Sequence, residues 1–187
     1  MKKGCFRAQI LAVILLLAAL AVIGPKVFNA GRKLIYPQKY EAIVESCAAD
    51  YQLDSELIYA VIWTESKFKE DALSSAGAKG LMQLTQETYD WTKQDLQLWI
   101  SDNGDIWLPE NNIRAGSALL RFLLNHYGSP EVAFCAYNAG MGNVNGWLES
   151  REYSDDGFTL NTIPYPETRK YVDKVNHTYE IYRSIYQ

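Results

Sequence analysis

One carboxylic acid stands where an apolar helical pattern gives way to a loop of small and polar residues. The apolar residues over 57–63 have helical spacing, and Glu65 follows them at the predicted helix end. Apolar surroundings raise the pKa of a carboxyl group, and a proton donor that works near neutral pH needs such a raised pKa. The pattern is therefore consistent with an acid-catalysis site at Glu65. A solvated charge at a helix end is the other interpretation.

Three motifs occur in order along the chain. The first runs from Glu65-Ser66 through Ala72, Ser74 and Gly77-Ala78 to Gly80-Leu81-Met82-Gln83, the second is Ala136-Tyr137-Asn138-Ala139-Gly140-x-Gly142, and the third is Pro164-x-x-Glu167-Thr168-x-x-Tyr171-Val172. Together they resemble the soluble lytic transglycosylase family of peptidoglycan-cleaving enzymes, which is similar in fold to goose-type lysozyme. Glu70 and Gln86 depart from the pattern, since the family often has proline at both positions.

The resemblance implies a reaction that uses a single carboxylic acid. Glu65 would protonate the glycosidic oxygen and then, as a base, take the proton from the C6 hydroxyl of muramic acid. That hydroxyl attacks C1 of its own ring, so the product carries a 1,6-anhydro end and no water is consumed. Ordinary glycosidases instead use a second carboxylate as nucleophile or base.

The same resemblance implies a set of substrate-binding residues. Tyr137 matches a family position that hydrogen-bonds the acid, while Ser74 and Gln83 would bind N-acetyl or peptide groups of the substrate. Asn138 either binds substrate or holds its turn. Glu167 either binds substrate or stabilises the start of the last helix by its charge.

Helical patterns fill the chain after residue 36, and no alternating strand pattern is visible. Asp54 and Ser129 are typical helix N-caps, and Gly128 is a typical C-terminal cap. We therefore expect a mostly α, lysozyme-like (goose-type/transglycosylase) single domain over residues 37–187. The 13 tyrosines and 5 tryptophans indicate either ordinary packing or a cleft whose rings stack on sugars.

Residues 1–36 predict a membrane anchor or signal segment followed by a linker. Lys2, Lys3 and Arg7 precede an apolar run over residues 10–23, which is short beside the roughly 20 residues of a spanning helix. Only poor candidates for a small-x-small cleavage site follow, so we favour an uncleaved single-pass anchor with its amino end in the cytoplasm and the catalytic domain outside. The alternative is secretion after cleavage of a signal peptide.

Several kinds of chemistry are not indicated. His126 and His177 stand alone, so no metal site is predicted, and no cofactor motif is present. Cys47 and Cys135 lie in apolar helical settings and are expected to be buried thiols, although an external location would permit a disulfide. The net charge of -4 and the lack of a basic face past the leader argue against nucleic acid as a partner.

The sequence thus predicts a membrane-anchored lytic transglycosylase that cleaves the β-1,4 bond between N-acetylmuramic acid and N-acetylglucosamine. Its partners would be peptidoglycan glycan strands, the membrane, and cell-wall or secretion machinery. Two alternatives stay open. One is a hydrolytic muramidase on the same fold, and the other is a non-catalytic peptidoglycan-binding module of a wall-spanning apparatus.

Overall fold

The computed structural model describes residues 2–96 and 104–187, and for residues 2–16, 18 and 19 it describes the backbone alone. The chain separates into two units, Met1–Gln38 and Lys39–Gln187. The first unit holds one helix, and the second holds the other helices of the described residues.

The first unit is built on one helix, α1, over Lys2–Ile35, with Pro25 inside it and Arg32 and Lys33 in its last turn. The apolar run over residues 10–23 that predicted an anchor falls mostly on side chains outside the described set. Among the residues that are described, no helix has both the length and the apolar character needed to cross a membrane.

The second unit contains seven helices within its described residues. They are α2 (Glu41–Tyr51), α3 (Ser55–Glu65), α4 (Gln86–Asp95), α5 (Pro109–Tyr127), α6 (Pro130–Ala139), α7 (Met141–Glu149) and α8 (Pro166–Tyr186). Among the described residues of this unit, β-pairing is limited to two isolated bridges, which join Lys79 to Leu73 and to Leu84. The expectation of a mostly helical domain is confirmed.

Helix α3 is the central element of the unit. Its residues 56–62 are all buried, which is the pattern of a helix surrounded by protein. It packs against α2 and α8, while α5 packs against α2, α4 and α6. Because α3 is enclosed, its last residue, Glu65, lies within the domain.

The predicted caps set the helix boundaries. The Asp54 side chain accepts a hydrogen bond from the backbone N–H of Glu56 at 3.3 Å, and the Ser129 hydroxyl accepts one from the N–H of Val132 at 3.5 Å. Gly128 ends α5 with a φ of 65°. That left-handed conformation costs glycine little, so all three predictions from local chemistry are confirmed.

Candidate active site

The chain leaves α3 abruptly after Glu65. Lys67 and Phe68 follow with φ values of 53° and 62°, both in the left-handed region that non-glycine residues rarely adopt. Each such residue costs roughly 1–2 kcal/mol. Phe68 is only 4% exposed, and its ring contacts Tyr59 and Tyr40 at centroid distances of 6.4 Å. Burial of that ring, at about 2–3 kcal/mol, offsets much of the backbone strain and fixes the direction in which the loop departs.

The loop over residues 66–84 then folds back on itself. The N–H of Gly80 donates to the carbonyl of Ala72 at 2.9 Å, and Lys79 and Leu84 exchange backbone hydrogen bonds at 2.9 and 3.1 Å. Ser74 is part of the same fold-back, because its N–H donates to the carbonyl of Ala78 at 2.9 Å. The result is a closed loop that presents its polar side chains from a fixed backbone.

A buried amide holds this loop onto α5. Asn112 donates from Nδ2 to the carbonyls of Lys79 and Ile106, each at 3.0 Å, and its Oδ1 accepts from the N–H of Met82 at 2.7 Å. A Cβ on Gly80 would lie 2.5 Å from Asn112 Nδ2, so a side chain has no room there. Met82 is fully buried and packs behind the loop. It does not line the cavity beside the loop.

All six residues singled out from the sequence line one cavity of about 310 Å³. The loop contributes Ser74 and Gln83, α6 contributes residues 137 and 138, and α8 contributes Glu167 from its first turn. Glu65 enters from the end of α3. The remaining wall is Ser75, Ala76, Ala78, Leu84, Thr85, Thr88 and Leu119.

Glu65 is half-buried where it lines this cavity. Burial raises its pKa from the ordinary value of 4.5 to about 7, while Tyr171 and the charge of Lys174 oppose the rise. The Tyr171 hydroxyl lowers the pKa of the carboxyl, although it makes no hydrogen bond of standard geometry to a described residue. A carboxyl group with this pKa is partly protonated at neutral pH, as a general acid must be.

Tyr137 does not make the predicted hydrogen bond to the acid. Its hydroxyl donates to the carbonyl of Met82 at 3.0 Å, so its single proton is already engaged with the loop. Its ring stacks on Tyr171 at 6.5 Å, with the two planes 7° apart. The phenol that lowers the pKa of Glu65 is that of Tyr171, for which the sequence indicated no role beyond its place in the third motif.

The three polar side chains next to Glu65 offer different groups to a ligand. Ser74 Oγ accepts from the N–H of Ala78 at 3.0 Å, which leaves its hydroxyl proton for donation. Gln83 donates both amide hydrogens to the carbonyls of Ala72 and Gly80, at 3.0 and 2.9 Å. Its side chain can therefore offer a ligand only the acceptor Oε1. Asn138 Oδ1 accepts from the Thr168 hydroxyl at 2.8 Å, and this orients its amide N–H groups as donors.

Glu167 is the second carboxylate in the described lining of this cavity. It is exposed and lies in the first turn of α8. A negative charge at that end of a helix is stabilised by the exposed N–H groups. The position is compatible with both roles that the sequence left open, helix stabilisation and ligand binding.

A second cavity of about 370 Å³ adjoins the first and shares Thr88, Leu119 and Tyr137 with it. Trp91 and Met141 give this second space an apolar and aromatic wall, with Glu87 at its side. Together the two cavities form a groove longer than one sugar-sized pocket. Trp91 is held by an edge-to-face contact with Phe122 at 5.1 Å.

The groove is not lined by His126, His177, Cys47 or Cys135. The His126 ring packs between Phe122 and Tyr127, at 5.7 and 4.7 Å. Cys47 and Cys135 are buried free thiols, and burial raises their pKa values to about 11 and about 12. Of the two expectations for these cysteines, the buried thiols are found. Among the side chains that the structure describes, no three metal-ligating groups come together.

Comparison with known proteins shows the class to which this fold and site belong. The family model for the transglycosylase SLT domain matches residues 43–157. The chain therefore belongs to the transglycosylase SLT domain family. Residues 65, 74, 83, 137 and 138 fall inside the matched range, whereas Glu167 and Tyr171 lie beyond it.

Individual relatives agree with the family assignment. The chain is 33% identical over 171 residues to membrane-bound lytic murein transglycosylase C of Sodalis glossinidius, covering 78% of this chain and 47% of that one. It spans only about a quarter to a half of the length of the curated relatives that it matches.

Solved structures show the same likeness. An inactive Glu-to-Gln mutant of lytic transglycosylase Slt from Pseudomonas aeruginosa aligns at a TM-score of 0.70 and 33% identity, over 81% of this chain and 25% of that one. The 70 kDa soluble lytic transglycosylase of Escherichia coli aligns at 0.72 and 28% identity, over 90% of this chain and 28% of that one, and has also been solved with bulgecin A. The domain thus has the mostly helical, lysozyme-like fold of these transglycosylases, as predicted.

Proposed function

We propose that this chain is a lytic transglycosylase that cleaves the β-1,4 bond between N-acetylmuramic acid and N-acetylglucosamine in peptidoglycan. The observation that carries the proposal is the half-buried Glu65, with a pKa raised to about 7, in a cavity that is also lined by the five residues expected to bind substrate. The lytic murein transglycosylases among its relatives support the substrate class.

The proposed reaction uses Glu65 twice. The protonated carboxyl gives its proton to the glycosidic oxygen, and the bond from that oxygen to C1 of muramic acid breaks. The Glu65 carboxylate then removes the proton of the C6 hydroxyl, and the C6 oxygen bonds to C1 to close the 1,6-anhydro ring. The proton ends on Glu65, so the site returns to its starting state and no water is consumed.

The polar groups of the cavity suit an N-acetylated sugar. Ser74 and Asn138 offer donors for the acetamido carbonyl and for ring hydroxyl oxygens. Gln83 offers an acceptor for an amide N–H or a hydroxyl. The adjoining space beside Trp91 gives an aromatic face for a further ring, which suits a polymeric substrate.

Hydrolysis is the competing reaction, because Glu167 lines the same cavity and could activate water. Mass spectrometry of soluble products from purified peptidoglycan distinguishes the two outcomes. The transglycosylase reaction gives muropeptides lighter by one water than reducing ones, and the Glu167→Gln variant would still form them. Reducing products that disappear in Glu167→Gln would establish the muramidase instead.

A binding module is the third candidate. It would sediment with insoluble peptidoglycan and release no soluble product from either the wild type or the Glu65→Gln variant. The proposed enzyme instead releases product as the wild type and binds without release as Glu65→Gln. Product release by wild-type protein alone therefore excludes the binding module.

We also propose that residues 1–36 anchor the chain in the cell membrane with the catalytic domain outside, where cell-wall or secretion machinery would be its neighbour. The support is the sequence alone, namely three cations before an apolar run and only a poor cleavage site after it. Amino-terminal sequencing of the protein from isolated membranes tests this. A start at residue 1 in the membrane fraction agrees with an anchor, and a start near Ala30 would show a cleaved signal peptide.

A further inference from the structure

A lysine from α8 is fastened to the last turn of α3 directly before Glu65. Lys174 Nζ donates to the backbone carbonyl of Thr64 at 2.9 Å. The same ammonium lies 5.6 Å from the centre of the Trp63 ring, within cation–π range. Carbonyls at the end of a helix have no partner within the helix, so a cation placed there satisfies one of them and complements the helix dipole.

The surroundings of Glu65 contain few groups that carry charge. Tyr171 and Lys174 on α8 act on its carboxyl directly, and Tyr137 on α6 lies against Tyr171. Burial raises the pKa of both phenols well above 10, so they stay protonated over the working range. Glu167 is the other carboxylate in the cavity. From α2, no titratable group among the described residues acts on Glu65.

Lys67 is a second cation beside the Trp63 ring, and its charge affects the pKa of Lys174. Its Nζ lies 5.5 Å from the Trp63 ring, so the two ammonium groups share one indole. Burial lowers the pKa of Lys174, Lys67 lowers it further, and Glu65 raises it. Lys174 alone of the two acts on the Glu65 carboxyl.

We propose that Lys174 is a positioning residue for the reaction assigned to Glu65. Held on the Thr64 carbonyl, it fixes the end of α3 and supplies the positive charge that stabilises the Glu65 carboxylate formed after proton donation. This inference rests on the proposed function, because it assigns Lys174 to the step in which Glu65 waits as a carboxylate before it acts as a base.

The charge has a measurable consequence with a definite sign. Without it the carboxylate is less stable, so the pKa of Glu65 rises and the protonated form persists to higher pH. The alkaline limb of kcat/KM, which reports the acid of the free enzyme, should then move upward. We expect a shift of about half to one pH unit. A weaker acid also donates more slowly, so kcat at low pH should fall several-fold while KM is unchanged.

The experiment measures pH profiles of the full chain on purified peptidoglycan for four variants. Lys174→Met removes both charge and hydrogen bond, Lys174→Gln removes the charge but keeps an N–H donor, and Lys174→Arg keeps both. Lys170→Met is the matched control, because Lys170 is an exposed lysine one turn away on α8. Circular dichroism verifies folding, and Lys174→Gln carries the test if Lys174→Met does not fold.

The inference predicts that the limb moves upward in Lys174→Met and Lys174→Gln and stays in place in Lys174→Arg and Lys170→Met. An unmoved limb in Lys174→Gln would overturn it, even if activity fell, because that pattern marks a purely structural lysine. Failure of the proposed function would give a different result, because the wild-type protein would then release no anhydro product. Carbon-13 NMR titration of Glu65 in the wild type and Lys174→Gln would then still decide whether the lysine stabilises the carboxylate.

Discussion

The two ends of α3 carry carboxyl groups whose pKa values the fold shifts in opposite directions. Asp54 caps the helix at its start, and Glu65 is its last residue. Both meet side chains of α8, since Tyr179 contacts Asp54 and Tyr171 lies beside Glu65. The pKa of Asp54 is nevertheless lowered from 3.8, whereas that of Glu65 is raised to about 7.

Hydrogen-bond donors account for the difference. Burial acts to raise the pKa of Asp54 as well, but the hydrogen bonds from Glu56 and Tyr179 outweigh it. The Tyr179 hydroxyl donates to Asp54 Oδ2 at 2.6 Å. The start of a helix supplies free N–H groups and the positive end of its dipole. The end of a helix supplies carbonyls instead, so Glu65 is desolvated without equivalent compensation.

The group that stabilises α3 and the group proposed to donate a proton therefore lie at opposite ends of the same helix. A carboxylate that must hold the fold together lies where donors are plentiful, and a carboxyl that must give up a proton lies where they are scarce. Substitutions made at one end at a time should accordingly separate loss of activity from loss of stability.

Replacing Glu65 with Gln should lower the rate of the proposed cleavage about 10²–10⁴-fold or more, since it removes the proton donor. The same change should stabilise the fold at alkaline pH. Folding raises the pKa of Glu65. The contribution of Glu65 to the free energy of unfolding is therefore fully present below the ordinary pKa of 4.5 and is lost as pH rises through about 7. Urea unfolding at pH 5 and pH 8.5 should show a gain for the variant only at the higher pH, of at most about 3 kcal/mol. Equal stability of both proteins at both pH values would show that Glu65 is not destabilised by burial.

Replacing Asp54 with Ala should have the opposite profile. Loss of the N-cap costs about 1–2 kcal/mol of stability, while kcat/KM of the folded fraction stays near wild type because the change is at the far end of the helix. The control is Asp54→Asn, which keeps an acceptor for the cap. Since the pKa of Asp54 is lowered on folding, the advantage of wild type over Asp54→Asn should be present above 3.8 and vanish as pH falls through the folded-state pKa. A loss of kcat/KM equal to that of Glu65→Gln would contradict the separation.

Replacing Tyr179 with Phe removes one donor from Asp54 and keeps the ring. Stability at pH 7 should fall by about 1 kcal/mol, the usual net contribution of an intramolecular hydrogen bond. The pH profile of activity should not move. Thermal unfolding and a pH–rate profile on the same preparation are sufficient, and a shifted profile would show that the two ends of α3 are coupled.

Replacing Tyr171 with Phe is the matched change at the catalytic end. Its hydroxyl is buried with no standard hydrogen bond to a described residue, so its loss should cost little stability. The hydroxyl acts to lower the pKa of Glu65, so the alkaline limb of kcat/KM should move upward by a few tenths of a pH unit. A downward movement would mean that Tyr171 favours the protonated acid.

Local chemistry explains how much of the fold and site the sequence could predict. The caps at Asp54 and Ser129 and the end of α5 at Gly128 depend on neighbouring residues alone, and all were predicted. The roles of Tyr171, Lys174 and Asn112 depend on contacts between distant segments. Nothing in their own neighbourhoods shows that α8 lies against the end of α3, or that an amide on α5 closes the loop.

Tyr137 shows the corresponding limit for motif matching. The motif correctly indicated a residue of the cavity, but the partner of its hydroxyl depends on the backbone of the loop. Because the carbonyl of Met82 faces it at 3.0 Å, the proton goes there. A position in a motif thus predicts where a side chain lies better than which atom it contacts.

The most direct test of the contrast between the two ends of α3 is a carbon-13 NMR titration of the full chain with labelled aspartate and glutamate side chains. Glu65→Gln and Asp54→Asn assign the two carboxyl resonances by their disappearance. We predict that Glu65 titrates near 7 and Asp54 below 3.8 in the same sample. A Glu65 resonance that titrates near 4.5 would contradict the contrast, because the end of α3 would then hold an ordinary carboxylate with no proton to donate at neutral pH.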